Sequence, residues 1–375
     1  MLRREEFPIT RRGVYLDHAT FGPPPTRHVR AVNAFLERMS TEGLDDLFAL
    51  SDEGVDNVRQ KASLLLGCEL AHVTFVRSTS HGVGLVAEGL EWSPGDEVVL
   101  YELDHPAGVL PWTNLAGRGV KTRFIADRGR FGFEAADVLE LIGPRTRAVC
   151  VSLVNFGHGG RAPVEEIAAL CRDHGIWLVV DAVQALGALQ VDTTALGADI
   201  VVAHGYKFLL SGFGIGVCYC SDRALRELNV RHVGWKSVES PFDLERMLAF
   251  ELTFPASAKR FEPSFQPLAQ VFGLGATLDL LNQAGAALTE ARVMSLSQRL
   301  VSGLLEKGYT VAGSPDGRAR SAIVSVILRD EAERARVERG LLKAEVRCSV
   351  RESRVRLSPH FYNTEEEIDR MLSCL

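Results

Sequence analysis

The segment His204-Gly205-Tyr206-Lys207-Phe208-Leu209 places an amine between a Val-rich run and the Gly-rich stretch SGFGIG. Only seven of the 42 basic residues are Lys, so few amines are open to chemistry. With Phe208, Leu209, Leu210 and Phe213 around it, Lys207 is expected to be enclosed. Burial destabilises an ammonium and favours the free amine, which is what a Schiff-base lysine requires. A surface lysine lying along apolar neighbours is the competing reading. Asp181 ends the run IWLVVD and puts a carboxylate where a buried strand emerges. Left unpaired there it would cost several kcal/mol, so it needs a cationic or multi-donor partner, unless it only caps the next turn. A third cluster, Ser78-Thr79-Ser80, opens a helix-like apolar stretch. Hydroxyls beside the free N–H groups of a helix mouth suit a phosphate, although the same residues can serve as a plain cap.

The elements that would position these groups are legible as runs. Asp96–Tyr101, Arg147–Val154, Ile176–Asp181, Ala198–Ala203 and Ile215–Cys220 are nearly continuous in apolar residues, as strands buried on both faces should be. Between two of them, Pro163–His174 begins with Pro and acids, carries Ile167, Leu170 and Cys171 at helical spacing and stops at Gly175. Strand, helix and strand in alternation predict an α/β fold with a mainly parallel sheet. In such sheets function gathers at the carboxyl ends of the strands. After about Pro255 two long helices are predicted, Leu268–Ala287 and Leu288–Lys307. Strands at Ala322–Arg329, Glu345–Val350 and Arg354–Ser358 follow, and then a helix from Thr364, whose spacing to Glu367 is that of a capping box. The expected organisation is an N-terminal segment (1–30) joining a small α+β domain (256–375), with a large domain (31–255) between.

Composition excludes several classes. The 375 residues are 46% hydrophobic and 24% charged, which is ordinary for a globular enzyme. No apolar run approaches the roughly 18 residues that span a membrane. Charges at the N-terminus with no hydrophobic stretch after them argue against a secretion signal, so a cytoplasmic location is expected. The net charge of −6 offers no general field for nucleic acid or anionic lipid. The seven cysteines are scattered without a CxxC pair, so neither a metal site nor a disulfide framework is expected. Cys218 and Cys220 read as core residues on one strand face.

Taken together, the phosphate-suited cluster, Asp181 and Lys207 resemble fold-type I pyridoxal-phosphate enzymes, and most closely the class V aminotransferase family with its cysteine desulfurases, selenocysteine lyases and isopenicillin N epimerases. The resemblance runs through YLDHATFGPPP (15–25), FVRSTSHG (75–82), LDHPAGVLPW (103–112) and VDAVQALGALQVD (180–192). It continues in GYKFLLSGFGIG (205–216), RFEPS (260–264) and VRLSPHFYNTEEEID (355–369). It implies pyridoxal 5'-phosphate as cofactor, bound through Lys207, which would also shuttle the substrate proton. Asp181 would pair with the pyridinium nitrogen and Gln184 would touch the ring hydroxyl, with Asn155 as a second contact. Ser78, Thr79, Ser80, His204 and Tyr206 would hold the phosphate, and His105, or else Pro106, would cover the ring. Arg356 would grip the substrate carboxylate, since its planar fork fits one bidentately.

Two departures from the family stand out. Desulfurases carry a nucleophilic Cys on a loop before the substrate arginine, whereas the only Cys here is Cys348, on a strand where alternation predicts packing with Val346 and Val350. Where relatives have a Thr reaching the partner's phosphate, this chain has Ser264-Phe265-Gln266. The resemblance therefore implies a homodimeric enzyme acting on an amino acid by Cα deprotonation. β-Elimination of a thiolate from cysteine or an S-conjugated cysteine is the leading expectation. Epimerisation, transamination, decarboxylation-coupled chemistry and a non-catalytic cofactor-binding role remain as alternatives.

Overall fold

The computed structural model describes residues 3–313, 319–351 and 353–375. Its centre is a seven-stranded sheet built from β1 (Val73–Val76), β2 (Glu97–Tyr101), β3 (Lys121–Ile125), β4 (Thr146–Ser152), β5 (Trp177–Asp181), β6 (Ile200–His204) and β7 (Gly216–Cys220). The spatial order is β1-β7-β6-β5-β4-β2-β3. All neighbours are parallel except β7, which runs antiparallel to both β6 and β1. The carboxyl ends of β1, β2, β4, β5 and β6 therefore point to one edge.

Continuous apolar strands follow from burial on both faces. Val98 and Leu100 pack on one side of the sheet with Cys150, Val179, Cys218 and Cys220, while Val99 and Tyr101 face the other with Val151, Val180 and Val201. Cys218 and Cys220 are core residues, as expected. The strands β1 and β3 were not separable from loop by sequence pattern. β1 is only four residues long, and β3 is an edge strand whose Lys121, Arg123 and Phe124 are exposed.

Beyond Pro255 the chain forms helices Leu268–Ala284 and Ala286–Glu306. The break falls at Gly285, whose φ of 80° only glycine adopts without strain, two residues before the expected junction. A second sheet has the antiparallel order β10-β11-β9-β8, from β8 (Thr310–Val311), β9 (Val324–Ile327), β10 (Ser349–Arg351) and β11 (Arg354–Leu357). The single strand expected over Glu345–Val350 is instead two pieces that part at Cys348. Val346–Arg347 pairs in parallel with Val14–Tyr15, and Ser349–Arg351 turns to β11. The chain start is fastened here as well, since Phe7 stacks on Tyr362 with ring centroids 3.8 Å apart. Thr364 and Glu367 make both bonds of the capping box ahead of helix Glu365–Leu372.

Candidate active site

Lys207 leaves the carboxyl end of β6 in a turn built by close backbone approaches. A Cβ on Gly22 would lie 1.9 Å from the Lys207 carbonyl, and one on Gly187 (φ 99°) would lie 2.2 Å from that of Phe208. The motifs YLDHATFG and DAVQALG thus both press on the lysine turn. Phe208, Leu209 and Leu210 are buried as expected, but Phe213 is 64% exposed and stacks on Tyr206 and Phe21 instead of enclosing the amine. Lys207 is itself buried, at 5% exposure. Burial pulls its amine down to about 8, against the opposing charge of Asp181 and helped by Arg356.

Asp181 sits at the end of β5 with one hydrogen bond, from the Val183 N–H at 2.9 Å. Its burial pushes the carboxyl up to about 7; the bond from Val183 opposes this, Asp104 adds to it, and Lys207 opposes it. No side-chain donor reaches it among the described residues, so the partner that its position demands is still to be supplied. Gln184 donates to the Ala19 carbonyl at 3.1 Å, while its Oε1 is buried without a partner.

Beyond β1, Ser78 caps helix Thr79–Gly89 by accepting from the His81 N–H at 3.1 Å. The Thr79 hydroxyl is buried and unpartnered, and Ser80 is exposed. His204 Nε2 accepts from the Gly214 N–H at 3.3 Å, and its ring meets that of Tyr206 edge-on. Burial, then the charge of Lys207, lowers His204 to about 4, so it stands neutral beside the lysine. This end of the site is braced from behind. Glu262, in RFEPS, accepts from Arg59 at 2.7 Å and from the Phe75 N–H and Thr74 hydroxyl at 3.1 Å, which fixes β1 from its outer edge.

His105 caps helix Pro106–Thr113, its Nδ1 accepting from the Ala107 N–H at 3.1 Å, and its ring stands edge-on to Phe156. Burial lowers its pKa, helped by the charges of Lys207 and Arg356. Pro106 is exposed and lies in the helix. Asn155 is buried, donating to the Leu103 carbonyl at 2.8 Å and accepting from Gly157 and His158, so its side chain shapes the loop under His105.

Arg356 reaches the site from β11. Its Nη1 donates to the Phe156 carbonyl at 2.7 Å and its Nη2 to the Thr20 hydroxyl at 2.5 Å, while its buried Nε has no partner. Asp17 lies 3.7 Å from the guanidinium. Ser264 is exposed and Gln266 half-buried, with no polar partner among the described residues.

The sequence reading missed Asp104, Asp17 and Thr20. Asp104 accepts from the Ser152 N–H (2.8 Å), the Ser152 hydroxyl (2.5 Å) and the His105 N–H (2.9 Å), tying the His105 loop to the end of β4. The signal lay in the motifs LDHPAG and YLDHATFG, where an acid precedes each histidine. What the site brings together is a low-pKa amine, a buried acid short of a donor, unfilled hydroxyl and amide acceptors, and an arginine with a free edge. That set can hold an anionic heterocycle and move a proton beside a bound carboxylate.

Known proteins are similar in sequence and fold. A probable cysteine desulfurase of Methanothermobacter thermautotrophicus is 28% identical, over 97% of this chain and 94% of its own. One from Pseudomonas aeruginosa is 31% identical, over 81% of this chain and 77% of its own. The cystine C–S lyase C-DES, solved with its reaction product cysteine persulfide, superposes with a TM-score of 0.88 at 25% identity over 98% of both chains. The same protein was also solved as a mutant with glycine covalently linked to its pyridoxal-phosphate cofactor. The family profile described as aminotransferase class-V matches residues 14–371, and the chain belongs to that family.

Proposed function

We propose that this chain is a pyridoxal-phosphate-dependent C–S lyase acting on cysteine or an S-conjugated cysteine. The observation that carries the reading is that Lys207, Asp181 and Arg356 are all buried, and that the charges of Asp181 and Arg356 both act on the Lys207 amine. The fit to the cofactor rests on two buried groups that lack partners, Thr79 Oγ1 and Gln184 Oε1, and on an Asp181 carboxyl held, among the described residues, only by the Val183 N–H. Thr79, with Ser78, Ser80, His204 and Tyr206, would hold its phosphate, Gln184 and Asn155 its ring oxygen, and Asp181 its ring nitrogen. When bound, the cofactor supplies the electron sink for charge released at the substrate Cα.

This chain's own residues do the rest. Arg356 offers its free Nε edge to the α-carboxylate, which fixes Cα over Lys207. The amine of Lys207, lowered by burial, takes the Cα proton near neutral pH and can hand it to a departing group. Asp181 would pair with the ring nitrogen and His105 would cover the ring. The electrons left at Cα form a Cα–Cβ double bond as the Cβ–S bond breaks, and the sulfur leaves as a thiolate.

A persulfide-carrying thiol is not part of this reading. Cys348 packs against the small-sheet core, and burial, then the charge of Asp17, pushes its thiol up to about 12. A homodimer completes the proposal, supported by apolar side chains left at the surface: Phe213, Leu248, Phe250 (87% exposed) and Leu252.

The test is incubation of holoenzyme with thioether amino acids. Thiol and a pyruvate-type product should be released by wild type and by Cys348→Ala, and neither by Lys207→Ala, which should also lose the near-visible absorbance. Racemised substrate without thiol would reject elimination in favour of epimerisation.

A further inference from the structure

Arg356 is not alone on its strand face. β10 and β11 pair with Ser349 opposite Arg356 and Arg351 opposite Arg354. Opposed residues share a face, as do residues two apart. Arg351, Arg354 and Arg356 therefore project from one side of the hairpin, while Val350 and Val355 pack against the small-sheet core.

The three arginines are committed differently. Arg356 is buried and tied to Phe156 and Thr20. Arg354 lies over the Phe131 ring, 5.0 Å from its centroid. Arg351 is exposed and, among the described residues, has neither a hydrogen bond nor an ion pair from its guanidinium. Its charge is nevertheless felt at Asp17, Arg356 and Lys207. Diagonal neighbours in an antiparallel ladder stand roughly 7–8 Å apart, which is about the span between two carboxylates on either side of a thioether. Two like charges on one face, with Asp17 already shared by both, leave a place for a second anion.

We propose that Arg351 binds an anionic group at the far end of the substrate side chain, so that the preferred substrates are sulfur amino acids whose leaving thiol itself carries a carboxylate. This deepens, and rests on, the C–S lyase reading. A neutral leaving group gains nothing from Arg351, whereas an anionic one is held by Arg351 while Arg356 takes the α-carboxylate.

S-carboxymethyl-L-cysteine and S-carbamoylmethyl-L-cysteine differ in charge at that end and little in shape. Titrated into holoenzyme and followed by cofactor absorbance, the anionic ligand should bind about three- to fivefold more tightly, the scale of an exposed ion pair. In Arg351→Gln the ratio should fall to near one, and Arg351→Lys should restore part of it. A wild-type ratio near one, or a preference that survives Arg351→Gln, overturns the proposal. Charge-selective binding without thiol release would keep Arg351 in this role and reject the elimination reading. Thiol release from both ligands with a ratio of one would do the reverse.

Discussion

Burial acts on Lys207 and Asp181 in opposite directions, and the consequence can be measured without substrate. An acid whose folded pKa is raised lends stability below its unfolded pKa, near 4, and loses it as pH rises through the folded value, about 7. Asparagine has no such dependence. The cofactor-free Asp181→Asn protein should therefore gain on cofactor-free wild type between pH 4 and pH 8, by about 1 °C in Tm for each kcal/mol in a chain of this length. Thermal melts at the two pH values check this. With Asp181 in its proposed place at the ring nitrogen, the same variant with cofactor should lose about a hundredfold or more in kcat. At this scale Lys207 and Asp181 were readable because a charged residue abutting an apolar run is conspicuous. Asp104 and Thr20 were not, because their significance lies in bonds to Ser152 and Arg356, far away in the chain.

The elements carry the site by a few stiff joints. The Arg59–Glu262 pair holds the β1 edge from which Ser78 and Thr79 hang, and both partners are nearly inaccessible, with side chains 2% and 4% exposed. Removing Glu262 leaves the buried Arg59 with Asp56, 3.0 Å from its Nε, as its remaining carboxylate partner, and should cost up to about 3 kcal/mol. Glu262→Gln should lower Tm accordingly and speed cofactor release on dialysis, whereas a lowered Tm with unchanged release would detach this pair from the phosphate loop. Sequence periodicity placed β2, β4, β5, β6 and β7 because both of their faces are buried, and it missed β3 because an exposed edge strand has no apolar pattern to read. The helix break shows the converse case. Apolar residues continue past Gly285, so only its left-handed backbone, invisible to periodicity, marks the stop.

For the whole molecule, Phe213, stacked on Tyr206 beside the lysine, and Leu248, Phe250 and Leu252 farther along the chain are left uncovered. If a second copy covers them, Phe250→Asp should shift the protein toward monomer in light scattering while leaving its circular dichroism intact. An unchanged mass would place the contact elsewhere. Such a surface could not be read from a list of apolar residues, since most of them are core.

The start and the far end of the chain also meet at the site. Leu16 donates its N–H to Arg347 at 2.8 Å, Ser358 returns one to Leu16 at 2.8 Å, and the Ala19 N–H donates to the Ser358 hydroxyl at 2.9 Å. Residues 14–20 are synthesised some hundreds of residues ahead of these partners. The central sheet and Lys207 precede Arg356 in the chain. With Arg356 in its proposed role, a growing polypeptide is expected to gain the means of holding the cofactor before the means of holding a substrate.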